Sequence, residues 1–356
     1  MDSINVGVIG SGGIFRDLHL PYYEMTKKAK IVAVADINER SAEDVAKNCG
    51  AAHWYSDYKD LTRLKEVDAV DICTHPAPHR DIAIAAAEAG KHILVEKPMC
   101  QTVREADEMI KAADKAGVTL QVAYMIRFHP VHMKLKQLLD TETLGDLHMA
   151  YSCQVGWFPP KHPWLFIKEQ SGGMLVEQAI HNLDEWLWLH GPVDTVYAKV
   201  SHIPLGGTYP PEEKAVENNA TLIVHFRNGG TGMLIKSWAD EIGHHGEGLV
   251  ASKGSAAIDR GKLTWKTHNM NEAEIYVPVV PDDDTYRTVD PEARRRRYWS
   301  YASKGASIEH WLECIRGEEE EPTTSGRVGR AGIEVAEAAY RSSMVGKPVK
   351  TKQTQN

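Results

Sequence analysis

Residues 172–184 read GGMLVEQAIHNLD. On a continuous helix each residue advances about 100°, so Glu177, His181 and Asp184, at i, i+4 and i+7, share one face. A face that meets a core is apolar. This one carries two carboxylates and an imidazole. Three chemistries suit it: a solvated surface, a metal site of carboxylate and imidazole ligands, or a proton-transfer site centred on a group that titrates near neutrality. No second His/Cys cluster of suitable spacing joins it. His75, His79, His244 and His245 are present but the sequence does not place them, and no metal is expected.

Two further stretches could do chemistry. Val6-Gly7-Val8-Ile9-Gly10-Ser11-Gly12-Gly13 reads as a strand running into a glycine-rich turn before a helix. Glycine at such a turn lets a pyrophosphate approach the backbone, and the helix N-terminus supplies free N–H groups. Gly10, Gly12, Gly13 and Ile14 are therefore cofactor candidates. Asp36 ends the second strand at the spacing of a carboxylate on an adenosine ribose. It points to NAD, because it would repel a 2′-phosphate; Arg40 nearby leaves NADP open. Phe15 stands where this turn usually has Gly or Ala, so the helix is expected to pack farther out or to start differently. At the end of the fifth strand comes Val95-Glu96-Lys97-Pro98. A lysine beyond the carboxyl end of such a strand faces the ligand crevice.

These residues need a scaffold. The 356 residues suggest two domains and a large core, and the composition, 42% hydrophobic and 25% charged, is that of a globular protein. The net charge of -8 argues against nucleic acid or an anionic membrane as partner. There is no signal-peptide pattern and no membrane-length apolar run. The five cysteines are scattered without a CxxC, as in a reducing cytoplasm. Short apolar runs at 6–9, 31–35, 69–73, 92–95 and 119–123 alternate with helical patterns. That rhythm predicts βαβ units in a doubly wound parallel Rossmann sheet over residues 1–126. Residues 127–356 read as an α+β domain with a large, mostly antiparallel open sheet, and with one helix over 172–190. Helices at 306–316 and 326–343 close the chain and can pack back on the first domain. Residues 281–299 read as a charged loop. Its Arg294–Arg297 run is either an anion contact or a solvated or oligomer-facing segment.

The array of motifs resembles one family. Thr74-His75-Pro76-Ala77-Pro78-His79, Ala89-Gly90-Lys91-His92, Glu96-Lys97-Pro98, Arg127 near Pro130, the 172–184 stretch and the Tyr340 to Val349 segment follow the glycine turn in order. Together they are similar to the glucose–fructose oxidoreductase / inositol dehydrogenase / rhizopine-catabolism family over nearly the whole chain. The resemblance implies a Rossmann domain binding NAD or NADP, contacted also by Thr74, His79 and Glu96. It implies catalytic roles for Lys97 and His181, and a substrate contact for Asp184. Glu177 falls where many members have Asp, and the Lys97–Pro98 bond is cis in some of them.

The reaction so implied is reversible oxidation of a secondary hydroxyl. His181 would serve as base, Glu177 would orient it, and Lys97 would stabilise alkoxide character. The loop GWFPPKHPWLF offers Trp157, Phe158, His162, Trp164 and Phe166, aromatic faces that suit a sugar or cyclitol ring. Tyr124, Arg127, His162 and Asp184 are the polar candidates. Trp186 and Trp188 read as packing residues. Two other uses of the architecture stay open: glycoside cleavage through transient oxidation and elimination, and non-catalytic dinucleotide sensing. An exposed sheet face predicts a homodimer or homotetramer.

Overall fold

The computed structural model describes residues 3–157, 162–204, 216–280 and 291–353, with backbone alone at 291–297. The chain divides into two compact units: Met1–Met125 with Ser300–Arg330, and Ile126–Trp299 with Ala331–Asn356. Among the described residues no helix is long and apolar enough to cross a membrane.

The first unit is a parallel six-stranded sheet of β1 (Ile4–Ile9), β2 (Ala29–Ala35), β3 (His53–Tyr55), β4 (Ala69–Ile72), β5 (His92–Val95) and β6 (Leu120–Val122). The strand order is β3-β2-β1-β4-β5-β6, that of the doubly wound dinucleotide fold. Strands covered on both faces are near-continuous apolar runs, and β1, β4 and β5 are almost wholly buried, with Asp71 of β4 the exception in type. The helices between them start and stop on local signals. Asn38 caps Glu39–Cys49 and Gly50 ends it with φ 74°. Thr102 and Glu105 form a capping box on Val103–Ala116. Ile308, Trp311 and Leu312 complete the core that holds Ile4, Val6, Val8 and Leu94.

The second unit is built on a nine-stranded sheet. Its strands are β7 (Leu147–Trp157), β8 (Val193–Ser201), β9 (Asn219–Phe226), β10 (Thr231–Ser237), β11 (Ala239–Ala251), β12 (Gly254–Asp259), β13 (Lys262–Thr267), β14 (Glu274–Tyr276) and β15 (Val349–Lys350). They run in the order β14-β13-β12-β11-β7-β10-β9-β8-β15. β7 and β10 are parallel and the other pairs antiparallel. Burial alternates residue by residue along β9, so one face is covered. The helix Ile180–His190 packs on that face: Trp186 meets Phe226 edge-on, and a Cβ on Gly232 would strike the Trp186 ring.

Two segments differ from their sequence reading. The helix expected over 172–190 is broken into Met174–Glu177 and Ile180–His190, so Glu177 does not share a continuous helical face with His181 and Asp184. The last-but-one helix runs from Pro291 to Arg316, where a loop was expected as far as 299. Arg294–Arg297 are helical, because Ala, Arg and Glu favour helix and nothing in PEARRRRYW breaks it after the N-terminal proline. Their side chains lie outside the described residues, as does Phe158.

Candidate active site

The glycine turn fits a dinucleotide in its backbone. Gly10 has φ 95°, and a Cβ there would lie 2.7 Å from the carbonyl carbon of Cys73 and 2.8 Å from the Thr74 nitrogen. Only glycine lets β1 turn this close to β4. Added Cβ atoms at Gly12 and Gly13 meet nothing nearer than the Asp17 carboxylate at 3.9 Å, so open space lies over the turn. Asp36 Oδ2 accepts from the Ser11 backbone N–H at 2.7 Å and its hydroxyl at 2.9 Å, while Oδ1 accepts from the Asn38 N–H. The carboxylate is thus fixed at the end of β2. Arg40 is exposed beside it, and Ile14 is half exposed. Phe15 has the effect its departure from pattern predicts. Its ring is fully buried against Tyr23, and the helix starts with a wide π turn over Phe15–His19 before tightening at Leu20–Met25.

Beneath Lys97 lies a buried charge network that the sequence did not reveal. His19 Nδ1 is 2.8 Å from Asp71 and its Nε2 2.8 Å from Glu96. Glu96 also takes Lys304, whose ammonium donates to the Ala123 carbonyl at 2.7 Å. Tyr23 donates to Asp71 at 3.0 Å. Burial opposes charge on Glu96, but Lys304 and His19 win and hold its carboxyl well below the usual range. Burial likewise opposes charge on His19, but Asp71 and Glu96 raise it. The other oxygen of Glu96 accepts the Lys97 N–H at 3.0 Å, and the Lys97–Pro98 bond is cis. Lys97 itself is half-buried, just past the end of β5.

Two of the cofactor candidates have partners within the protein. Glu96 is turned inward to His19 and Lys304. His79 is fully buried with one ring nitrogen 2.9 Å from the Pro98 carbonyl and the other 3.0 Å from that of Thr74. It braces two turns, and burial lowers its pKa. Thr74 stays at the cradle through its backbone, beside Gly10.

In the second unit the glycine pair opens a buried hinge. Gly172 and Gly173 have φ 80° and 100°. The Glu217 carboxylate accepts the Leu175 N–H at 3.0 Å and the Tyr340 hydroxyl. Lys168 stands 3.6 Å from that carboxylate and 3.8 Å over the Tyr340 ring. Burial, then Glu217, pushes the Tyr340 hydroxyl well up. These groups lead the chain into Glu177, which is buried, and His181, half-buried in the first turn of Ile180–His190.

Arg127 and Asp184, both substrate candidates, form an ion pair. Arg127 donates through Nε and Nη2 to the Asp184 carboxylate, with the closest contact at 2.7 Å, and Asp184 is only 1% exposed. Burial outweighs the arginine and raises the Asp184 pKa. Tyr124 is buried; Trp157 and His162 are exposed and Trp164 is half-buried. Phe166 is a core residue against Trp238. One polar residue was missed: Lys236 is buried and donates to the side-chain oxygens of Gln154 and Asn182, next to His181. Its in-phase position with buried Leu234 on a period-two strand was the available signal. Among the described residues, the groups of three potential ligands whose donor atoms converge are His19, Asp71, Cys73 and His132, Glu185, Glu247, not Glu177, His181 and Asp184.

Residues 4–124 match a family profile described as the oxidoreductase family with NAD-binding Rossmann fold, and residues 132–257 match the GFO/IDH/MocA C-terminal domain. The sheet order and the glycine cradle thus belong to an NAD-binding oxidoreductase. The chain is a member of the glucose–fructose oxidoreductase / inositol dehydrogenase / MocA family. It is similar to the uncharacterized oxidoreductase YrbE of Bacillus subtilis, at 29% identity over 99% of this chain and 98% of that protein. It is also similar to the scyllo-inositol 2-dehydrogenase (NAD(+)) of the same bacterium, at 28% identity over 90% and 88%. Levoglucosan dehydrogenase in complex with NADH and levoglucosan shares the fold, with a TM-score of 0.85 at 21% identity over 99% of this chain and 100% of that one. Family, fold class and NAD cofactor are those the sequence led one to expect.

Proposed function

We propose that this protein oxidises a secondary hydroxyl of a sugar, cyclitol or glycoside, reversibly and with NAD. The observation that carries the reading is the cradle: an open glycine turn beside a carboxylate fixed on β2, in a chain whose relatives include inositol, glucoside and levoglucosan dehydrogenases. NAD, when bound, accepts the hydride from the carbinol carbon. The residues handle the proton. His181 takes it from the hydroxyl, since an imidazole titrates near neutrality. The Lys97 ammonium hydrogen-bonds the same oxygen and lowers the cost of alkoxide character. Glu177, on the short helix before the break, supports the imidazolium. Trp157, His162 and Trp164 are the ring contacts, and Tyr124 is a further polar candidate. Arg40 stays at the ribose edge without displacing the preference for NAD that Asp36 sets.

The partner is a second copy of the chain. Tyr197, Ile223, Met233 and Tyr151 stand side by side across β8, β9, β10 and β7 on the uncovered face, and the first three are 38–46% exposed. Such a row invites a homodimer or homotetramer.

The test is purified protein with NAD and a panel of sugars, inositols and glycosides, followed by NADH absorbance. Lys97→Ala and His181→Ala should each lower turnover by roughly 10²–10⁴-fold while NAD still binds. Near-wild-type turnover in both would sink the proton assignment. Aglycone release without NADH would place the protein with the glycoside-cleaving enzymes. NAD binding with no oxidation of any panel member would make it a sensor.

A further inference from the structure

His132, on the helix Pro130–Asp140, is buried against two carboxylates from different elements: Glu185, on Ile180–His190, and Glu247, on β11. Its Nε2 lies 3.3 Å from Glu185 Oε1 and 3.2 Å from Glu247 Oε1. All three donor atoms fall within 4.8 Å of one another. The other ring nitrogen, Nδ1, has no hydrogen-bond partner among the described residues, and the ring meets His129 edge-on at 5.1 Å. The imidazole, 11% exposed, therefore spends its polar character on this cluster.

The two spacings are informative. A charge-assisted N–H···O bond closes to about 2.7–2.9 Å. A tetrahedron of zinc–ligand bonds of about 2.0–2.1 Å has edges of roughly 3.3–3.4 Å. His132 and Glu247 meet the geometry of a long hydrogen bond, and both separations also lie close to the edge of such a tetrahedron. Charge is compatible: two carboxylates, Glu185 buried and Glu247 17% exposed, converge on one imidazole, where a divalent cation would offset them. A cavity of about 10 Å³ adjoins the cluster, lined by Glu185, Glu247, Tyr151 and His190 among others. That is about the room one water needs, beside the two carboxylates.

We propose that His132, Glu185 and Glu247 form a binding site for a divalent transition-metal ion such as zinc, closed by one water. The ion ties the helix after the first β-α unit boundary, the His181-bearing helix and β11 together. It lies within the second unit and stands independently of the proposed reaction.

The test uses the full chain, treated with EDTA, desalted and titrated with zinc chloride by calorimetry, with cobalt(II) as a spectroscopic probe. One ion should bind per chain, and cobalt should show the intense visible bands of four-coordination. Glu247→Gln and His132→Gln should each weaken zinc binding by roughly a hundredfold or more. His244→Ala/His245→Ala, which removes the exposed histidine pair on the same strand, should leave it unchanged. If His132→Gln fails to fold, Glu247→Gln decides, since its side chain is 17% exposed and tolerates the amide. Absence of stoichiometric binding overturns the proposal. So does zinc binding that survives both cluster variants but is lost with His244 and His245, which would mark an adventitious ion only.

Discussion

Gly173→Ala should destabilise the second unit by two separable effects. Gly173 has φ 100° and ψ 165°, a region open in practice only to glycine, and entering it costs an L-residue about 1–3 kcal/mol. The new methyl would also lie 2.3 Å from the Tyr340 hydroxyl, 2.4 Å from the Lys168 ammonium and 2.8 Å from Glu217. The Tyr340 hydroxyl and the buried Glu217 carboxylate must give way, as must the exposed end of Lys168, and overpacking of this kind costs about 1–3 kcal/mol more. Gly191 supplies the control. It has φ 84° and ψ -169° in the same unit, and an added Cβ there meets nothing within 4 Å. Gly191→Ala carries the backbone cost alone. Urea unfolding should therefore place Gly173→Ala about 1–3 kcal/mol below Gly191→Ala. Turnover should fall in Gly173→Ala and not in Gly191→Ala, because the displaced groups set the entry to Glu177 and His181. Equal stability of the two variants would refute the hinge described at the glycine pair.

Two further outcomes follow from the buried ion pairs. Asp184→Ala leaves Arg127 buried without its carboxylate and should cost about 3–5 kcal/mol; a variant of unchanged stability whose KM alone rises would return Asp184 to the substrate. The first-unit network should make stability depend on pH from both sides. The His19 pKa is raised on folding, so its contribution is complete below the unfolded value of about 6.5 and is lost as pH rises through the folded value. The Glu96 pKa is depressed, so its contribution is present above the unfolded value of about 4.3 and is lost as pH falls through the folded value. Denaturation midpoints measured across pH should fall at both ends. His19→Gln should flatten the alkaline limb, and an unchanged limb would assign it to another group.

Much of the architecture was written in local pattern. Apolar runs such as Val6–Ile9 and period-two alternation along residues 221–226 are set by which faces are covered, and that is a property of neighbours in sequence. The glycine turn was legible for the same reason: Gly10 answers to a clash with β4 that recurs wherever such a turn is built. The interruption at Gln178 was not legible, because a helical hydrophobic pattern persists across it, and the partner of the Gln178 side chain, the Trp238 indole N–H, lies 60 residues on. The partners of Glu96 and Asp184 were illegible for a related reason. A carboxylate at the mouth of a strand or on a helix looks available until its counter-ion is known, and Lys304 lies 208 residues from Glu96 while Arg127 lies 57 from Asp184. Asp71, a charge in the middle of the buried strand AVDI, was the one visible sign that an internal ion network existed.

Lys304 also bears on how the chain is made. The cation that offsets Glu96, and the Ile308, Trp311 and Leu312 side chains that finish the first core, are translated only after the whole nine-stranded sheet except its last short strand. A nascent chain that has reached Met125 carries the glycine turn and all six parallel strands, yet holds Asp71, His19 and Glu96 without their lysine and leaves an apolar face bare. The nucleotide-binding half cannot mature first, as N-terminal domains commonly do. Its completion waits on the other unit's synthesis.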